Sequence, residues 1–300
     1  MARHYGFCMG VKRAISITEE KMHSEEPVTI LNEIVHNDAI VEKFKIAGVG
    51  QSKSVDAISQ GIMIVSAHGV APQVIERAKN QGLRVVDATC PLVIHIHKVI
   101  KKLASKGFHI FHFGDPDHDE TIGIVGHAPD KVTVLKSMDD LYLIDSVKGK
   151  KALTAQSTAH SSDFEELVAE VKKRYPDIEI KNTICNATSK RQSAIIELAP
   201  LVDVILVVGS LTSANSKRLA QIGEDLCEHS YLIGSAAQIK PEWLSRENVK
   251  TIGLTAGAST PDFLIDGVIK RLKELNTTDI EVIYTGEEPE INKLSIDIED

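Results

Sequence analysis

Aromatic side chains are scarce in this chain of 300 residues: they make up 4% of it, with a single Trp. That removes the ring platforms on which single-stranded nucleic acid stacks. Charge of one sign is not concentrated either. The formal net charge is −8 and no long run carries one sign, which argues against nucleic acid or an anionic membrane as the main partner. A local pocket can still oppose the global sign, so anionic small molecules stay open. Long apolar runs are missing; Val204 to Gly209 is typical of the longest, far short of the roughly 20 residues that span a bilayer. Residues Met1-Ala2-Arg3-His4-Tyr5-Gly6-Phe7-Cys8 contain no apolar signal core and no transit-peptide character, so a cytoplasmic location is expected. Cysteines are few: Cys8, Cys90, Cys185 and Cys227. In a reducing compartment they read as thiols, metal ligands or core residues, not as a disulfide framework.

What is present is internal repetition. Cys8 to Cys90 spans 82 residues and Cys90 to Cys185 spans 95. Each of the three cysteines is followed by an amphipathic helical pattern: Val11 to Met22, Pro91 to Leu103, and Ala187 to Leu198. Pro91 suits a first helical turn, and Leu92, Ile96, Val99, Ile100 and Leu103 follow at helical spacing. A β-rich run comes next (Val28–Leu31, Phe108–Phe113, Val204–Val208), then a polar loop and a further helical stretch. A second apolar run ends in a small, hydroxyl-rich turn: Ser66-Ala67-His68-Gly69, Thr154-Ala155-Gln156-Ser157-Thr158, and Thr255-Ala256-Gly257-Ala258-Ser259. Another helix (Pro72–Gln81, Asp163–Tyr175, Pro261–Leu275) and a closing strand (Leu83–Val86, Ile178–Ile180, Ile280–Tyr284) complete each copy.

Strands alternating with helices predict parallel α/β units. The fold expected is α/β, with three modules related by a pseudo-threefold axis: 9–90, 91–182 and 183–284, with 1–8 completing the centre and 285–300 as a C-terminal tail. Ligands of open α/β sheets bind beyond the carboxyl ends of the strands, where the cysteines and the hydroxyl-rich turns fall. Three modules turned inward would gather three thiols. The plainer reading is that duplication left three buried cysteines at equivalent strand ends.

A Cys just before a helix has its thiolate favoured by the free N-terminal amides. Spacings of 82 and 95 residues match neither a zinc ribbon nor a ferredoxin-type run. One thiol per module suits a shared centre, and soft thiolates select Zn, Cu(I) or iron–sulfur. Three ligands on a four-iron cluster would leave one iron open to a substrate oxygen. Cys227 lies inside a helical pattern and reads as a small core residue.

Among the histidines, His36, His68 and His118 stand out because each follows a strand. Ser213, Asn215 and Ser259 occupy matching places in the third copy. Imidazoles, hydroxyls, an amide and helix N-termini make a donor-rich, nearly uncharged rim suited to phosphate or diphosphate. For Ser213 and Asn215, ordinary N-capping explains the residue types equally well. His4, His23, His95, His97, His109, His112, His160 and His229 have bland contexts, and His127 stays undecided. Glu120 follows a strand end beside His118 and is the candidate proton source.

The motifs Gly6-Phe7-Cys8-Met9-Gly10-Val11, Val35-His36-Asn37, Ser66-Ala67-His68-Gly69-Val70, Asp87-Ala88-Thr89-Cys90-Pro91-Leu92 and Thr255-Ala256-Gly257-Ala258-Ser259 together resemble the 4-hydroxy-3-methylbut-2-enyl diphosphate reductases, the IspH or LytB family, which complete the methylerythritol phosphate route to isoprenoids. The resemblance runs in order from Gly6 to about Leu275. It implies a trefoil of α/β modules around a [4Fe–4S] cluster held by Cys8, Cys90 and Cys185. It implies a diphosphate held by His36, His68, Ser213, Asn215 and Ser259, with His118 nearby. Glu120 would supply protons, assisted by Ser157 and Thr158. The reaction implied is reductive dehydroxylation of the allylic alcohol to isopentenyl and dimethylallyl diphosphate. No nucleotide fingerprint appears in the sequence, so a separate ferredoxin- or flavodoxin-type donor is expected.

The chain departs from the family pattern at Ala155, Ser157, Ala214 and Asp119. Ala214 removes one donor from the phosphate end, at about 1 kcal/mol if water does not replace it. Asp119 stands where the family has proline, which predicts a looser Glu120 loop. The strand ahead of Cys8 is shortened to Met1–Tyr5. Two rival readings remain: a non-catalytic iron–sulfur sensor of a diphosphate metabolite, and a three-module cluster enzyme of the quinolinate synthase type. The latter calls for more Arg or Lys at the strand ends.

Overall fold

The computed structural model describes residues 1–245 and 249–275. The first unit runs α1 (Met9–Lys21), β1 (Val28–Leu31), α2 (Asp38–Ile46), β2 (Gly50–Ser52), β3 (Ile62–Val65), α3 (Pro72–Asn80) and β4 (Arg84–Asp87). The second comprises α4 (Pro91–Ser105), β5 (His109–Phe113), α5 (Asp119–Gly126), β6 (Val132–Leu135), α6 (Tyr142–Asp145), β7 (Lys151–Ala155), α7 (Ser161–Arg174) and β8 (Glu179–Ile180). The third has α8 (Asn186–Leu198), β9 (Val204–Val208), α9 (Ala214–Leu226), β10 (Ser230–Ile233), β11 (Ile252–Ala256) and α10 (Asp262–Leu275).

Among the described residues every strand pair is parallel, in three sheets of order β2-β1-β3-β4, β6-β5-β7-β8 and β10-β9-β11. Ile62-Met63-Ile64-Val65 and Val204-Ile205-Leu206-Val207-Val208 are buried along their whole length. Continuous apolar strands of that kind belong at the centre of a sheet covered on both faces. Register brings the strand ends together: Leu31 pairs with Val65, Phe113 with Ala155, and Val208 with Ala256. The turns after β3, β7 and β11 therefore project from one edge of each sheet.

The three edge strands β2, β6 and β10 were not anticipated. Each pairs outside the first strand of its sheet, where the repeat pattern has only a polar loop and a helical stretch, although Val132-Thr133-Val134-Leu135 and Ser230-Tyr231-Leu232-Ile233 do carry strand-forming residues. β2 is Gly-Gln-Ser with two exposed residues, so it has no apolar alternation to betray it. His109 and His112 lie within β5, and His112 is fully buried against Thr154 Oγ1 at 2.9 Å. Cys227 falls just past the end of α9 and packs against that unit's core. The expected strand at 280–284 and the tail at 285–300 lie outside the described residues.

Residues 1–8 run beside the third sheet, with the Ala2 N–H donating to the Leu254 carbonyl at 2.8 Å. Met1 packs into that sheet's core. The segment forms no regular strand; this bond, the burial of Met1 and Ala2, the bond from the Cys8 N–H to the Ala258 carbonyl and that from Arg191 to the Gly6 carbonyl help to hold it in place.

Candidate active site

Each of the three cysteines is the residue that opens a helix: Cys8 before α1, Cys90 before α4 and Cys185 before α8. A matching backbone bond fixes each one. The Cys90 N–H donates to Ala67 O at 3.0 Å, the Cys185 N–H to Ser157 O at 2.9 Å, and the Cys8 N–H to Ala258 O at 3.0 Å. The acceptors are the turns after β3, β7 and β11, so the N-terminal segment completes the third unit as residues 84–90 complete the first.

All three thiols line one cavity with about 710 Å³ of empty space. None is in a disulfide. At Gly10 a Cβ would stand 2.4 Å from Cys90 Sγ, so only glycine lets the first turn of α1 close over that sulfur. Burial pushes the Cys90 and Cys185 thiols up, against the opposing pull of the Leu92, Val93, Ala187 and Thr188 amides. The helix-terminus effect expected from sequence is present but outweighed by desolvation. Three convergent, unbridged, soft donors around a space kept clear by glycine fit an iron–sulfur cluster.

The same cavity is lined by His36, His68 and His118. The His36 and His68 rings stack with centroids 4.2 Å apart, and His118 meets them edge-on at 5.2 and 5.4 Å. His118 opens α5, and its Nδ1 accepts from the Glu120 N–H at 3.1 Å. In the neutral ring that leaves Nε2 as the protonated nitrogen. Burial, reinforced by His36, lowers His118 to about 4 and pulls His68 far below the usual imidazole range. Both rings are therefore neutral hydrogen-bonding groups at neutral pH. His36 Nδ1 lies 2.9 Å from Glu33 Oε2, a contact that lowers the Glu33 carboxyl.

Ser213, Asn215 and Ser259 close the third side. Ser213 does cap α9, its Oγ accepting from the Ser216 N–H at 3.3 Å. Asn215 does not cap: both its amide atoms are buried without a partner. Buried polar groups are normally satisfied, and His68 Nε2 is orphaned in the same way. Two such orphans facing one cavity mark a place built for a polar ligand. Ser259 Oγ donates to the His36 carbonyl at 2.9 Å, tying the first unit to the third.

Glu120, 2% exposed, sits in the first turn of α5. Its Oε1 accepts from the Ser157 N–H at 2.7 Å and its Oε2 from Ser157 Oγ at 2.6 Å. Burial raises its pKa and those two bonds oppose the rise. Thr158 lines the cavity beside it, accepting from Gln156 Nε2 at 2.9 Å. The loose loop expected from Asp119 is not found. Asp119 is the first residue of α5 and accepts from Asn32 Nδ2 at 3.1 Å.

The undecided His127 packs against His97 with tilted rings and centroids 3.9 Å apart, outside the cavity lining. Three contributors escaped the sequence reading. Gln156 accepts from the Asp115 N–H and bonds Thr158. Arg191, 5% exposed, reaches the Gly6 carbonyl. Asn32 is the third; its positive φ of 62° leaves no trace in a pattern search.

The family model described as LytB protein matches residues 1–273. A 4-hydroxy-3-methylbut-2-enyl diphosphate reductase from Wolbachia pipientis subsp. Culex pipiens is 39% identical over 296 residues, covering 95% of each chain. The protein of the same name from Aquifex aeolicus is 36% identical, covering 92% of this chain and 96% of its own. Among solved structures, the E-1-hydroxy-2-methyl-but-2-enyl-4-diphosphate reductase of Plasmodium falciparum superposes with a TM-score of 0.87 at 30% identity, covering 95% of this chain and 91% of that one. A second, titled the terminal enzyme of the non-mevalonate pathway, gives 0.67 at 35% identity over 91% of this chain and 98% of that one.

Proposed function

The chain belongs to the LytB protein family, and from that premise we propose that it reduces 4-hydroxy-3-methylbut-2-enyl diphosphate at the cavity between its three sheets. The observation that carries the reading is the meeting there of three thiols, three histidines and a buried glutamate. In this reading Cys8, Cys90 and Cys185 hold a [4Fe–4S] cluster. When bound, that cluster supplies two electrons one at a time and a Lewis-acidic iron.

His36, His68, His118, Ser213, Asn215 and Ser259 bind the diphosphate, with no lysine among the lining residues. Binding energy spent there fixes the distant allylic alcohol for reaction. Glu120 holds a proton above the usual carboxyl range and passes it toward the C4 hydroxyl. Ser157 Oγ, already bonded to Glu120, and Thr158 orient that hydroxyl. The C–O bond breaks, the protonated oxygen leaves as water, and two electrons with a second proton give isopentenyl or dimethylallyl diphosphate. A ferredoxin- or flavodoxin-type protein delivers the electrons.

Anaerobic purification with iron and sulfide analysis, followed by turnover with reduced viologen, tests this. A brown protein that converts the alcohol supports it. Protein free of iron after reconstitution would overturn the cluster assignment, and a loaded but inert protein would favour the sensor.

A further inference from the structure

Asn32 is the only described residue other than glycine with a left-handed backbone, at φ 62°. Asparagine tolerates that region better than most side chains, but glycine would adopt it without cost. Something other than the turn therefore accounts for a side chain there. Its Nδ2 donates to Asp119 Oδ1, 87 residues away in the next unit, at 3.1 Å in a half-buried setting. The backbone beneath is also held, since the Asn32 N–H donates to Ser52 O at 2.8 Å.

The positions of the two partners give the bond its meaning. Asn32 directly follows β1 and precedes His36 by four residues in a connection that also carries Glu33. Asp119 directly follows His118 and opens α5. The bond thus spans the two stretches of chain that bring the His36 and His118 rings together edge-on at 5.2 Å. Glu120 is anchored differently: its bonds to Ser157 stay inside the second unit and do not cross to Asn32.

We propose that Asn32 and Asp119 form a latch between the first two units that sets the spacing of His36 and His118 for the diphosphate end of the substrate. Both are positioning residues acting through the histidines. The proposal rests on the reading of those histidines as diphosphate ligands. Because the latch is separate from the Glu120–Ser157 pair, its loss weakens binding and spares the proton step.

The test uses the reconstituted holoenzyme, with steady-state kinetics and calorimetric binding of inorganic diphosphate. Asn32→Gly keeps the left-handed turn and deletes only the donor. It raises KM and weakens diphosphate binding about five- to tenfold, the net value of one ordinary half-buried hydrogen bond, with kcat and iron content within about twofold. Asn32→Asp sets two carboxylates face to face and is more severe. Adding Asp119→Asn to it restores one donor and one acceptor with roles exchanged, and recovers binding to within about threefold of the parent, the coupling a double-mutant cycle isolates.

Unchanged KM in Asn32→Gly, or an exchanged pair no better than Asn32→Asp alone, overturns the latch. Loss of kcat with KM unchanged also overturns it. If His36→Ala binds inorganic diphosphate as tightly as the parent, the reading of the site itself fails, an outcome separate from those three.

Discussion

The guanidinium of Arg191 donates to the carbonyl of Gly6, joining the helix that Cys185 opens to the segment that ends in Cys8. It also donates to Ala187 O at 2.8 Å, while its Nε has no partner. No carboxylate pairs with this buried cation among the described residues; burial works against its charge, and the groups that would favour it are Cys8 and Cys185 in their thiolate form. A buried cation without a counter-charge is expensive. Its natural balance is an anionic metal–thiolate centre.

Replacing Arg191 by Met therefore lowers the midpoint potential of the reconstituted protein, because the added electron loses a neighbouring positive charge. A drop of at least about 60 mV is expected, about 1.4 kcal/mol for one electron. A redox titration followed by electron paramagnetic resonance reads it. A potential within error of the parent removes Arg191 from the electrostatics of the centre.

Glu120→Gln keeps the shape and the bond from the Ser157 N–H, reverses the bond to Ser157 Oγ, and has no acidic proton to give. Turnover is expected to fall about 10²- to 10⁴-fold, the usual contribution of a positioned acid. Iron content and binding of inorganic diphosphate stay as in the parent. Near-parental kcat would take the proton role away from this carboxyl.

Gly10→Ala puts a methyl group 2.4 Å from Cys90 Sγ, closer than any real Cβ contact. The helix start or the thiol has to move. Anaerobic reconstitution is expected to recover less than half of the parental iron, with the far-ultraviolet circular dichroism spectrum intact. Full iron loading would show that α1 has slack at that turn.

Acid weakens the fold through its buried neutral histidines. Burial lowers His112 to about 3, and burial with His127 and Lys101 nearby lowers His97 to about 3. Between there and the unfolded value near 6.5 the unfolded chain binds more protons, so stability rises with pH. The contribution is complete above pH 6.5 and is lost progressively toward pH 3, at up to about 1.4 kcal/mol per pH unit for each histidine. Urea denaturation of the metal-free protein at pH 7.5, 6 and 5 follows the slope. His112→Asn flattens it, and an unaltered slope in that variant would acquit His112.

Much of this architecture is legible in the sequence because the chain repeats itself. Cys8, Cys90 and Cys185 each precede an amphipathic pattern, and the hydroxyl-rich turns recur after the largely buried strands β3, β7 and β11. All twelve site residues expected from sequence face one cavity. Features carried by backbone conformation or by single long-range contacts stayed hidden. The edge strand at Gly50–Ser52 has no apolar signal. Asn32 and Asp119 look like ordinary loop residues until the fold brings them together. The net rise of the Cys90 and Cys185 thiols comes from desolvation, which no spacing rule contains.

The backbone bond from Cys8 to Ala258 has a consequence in time. During synthesis the first thiol leaves the ribosome some 250 residues before its anchoring carbonyl, roughly 10 to 50 s at ordinary elongation rates. Cys90 and Cys185 find their anchors in turns already made. Two corners of the centre can thus be in place on a nascent chain while the third waits. On the proposed reading, a cluster that needs all three corners is completed only once the whole polypeptide has been released.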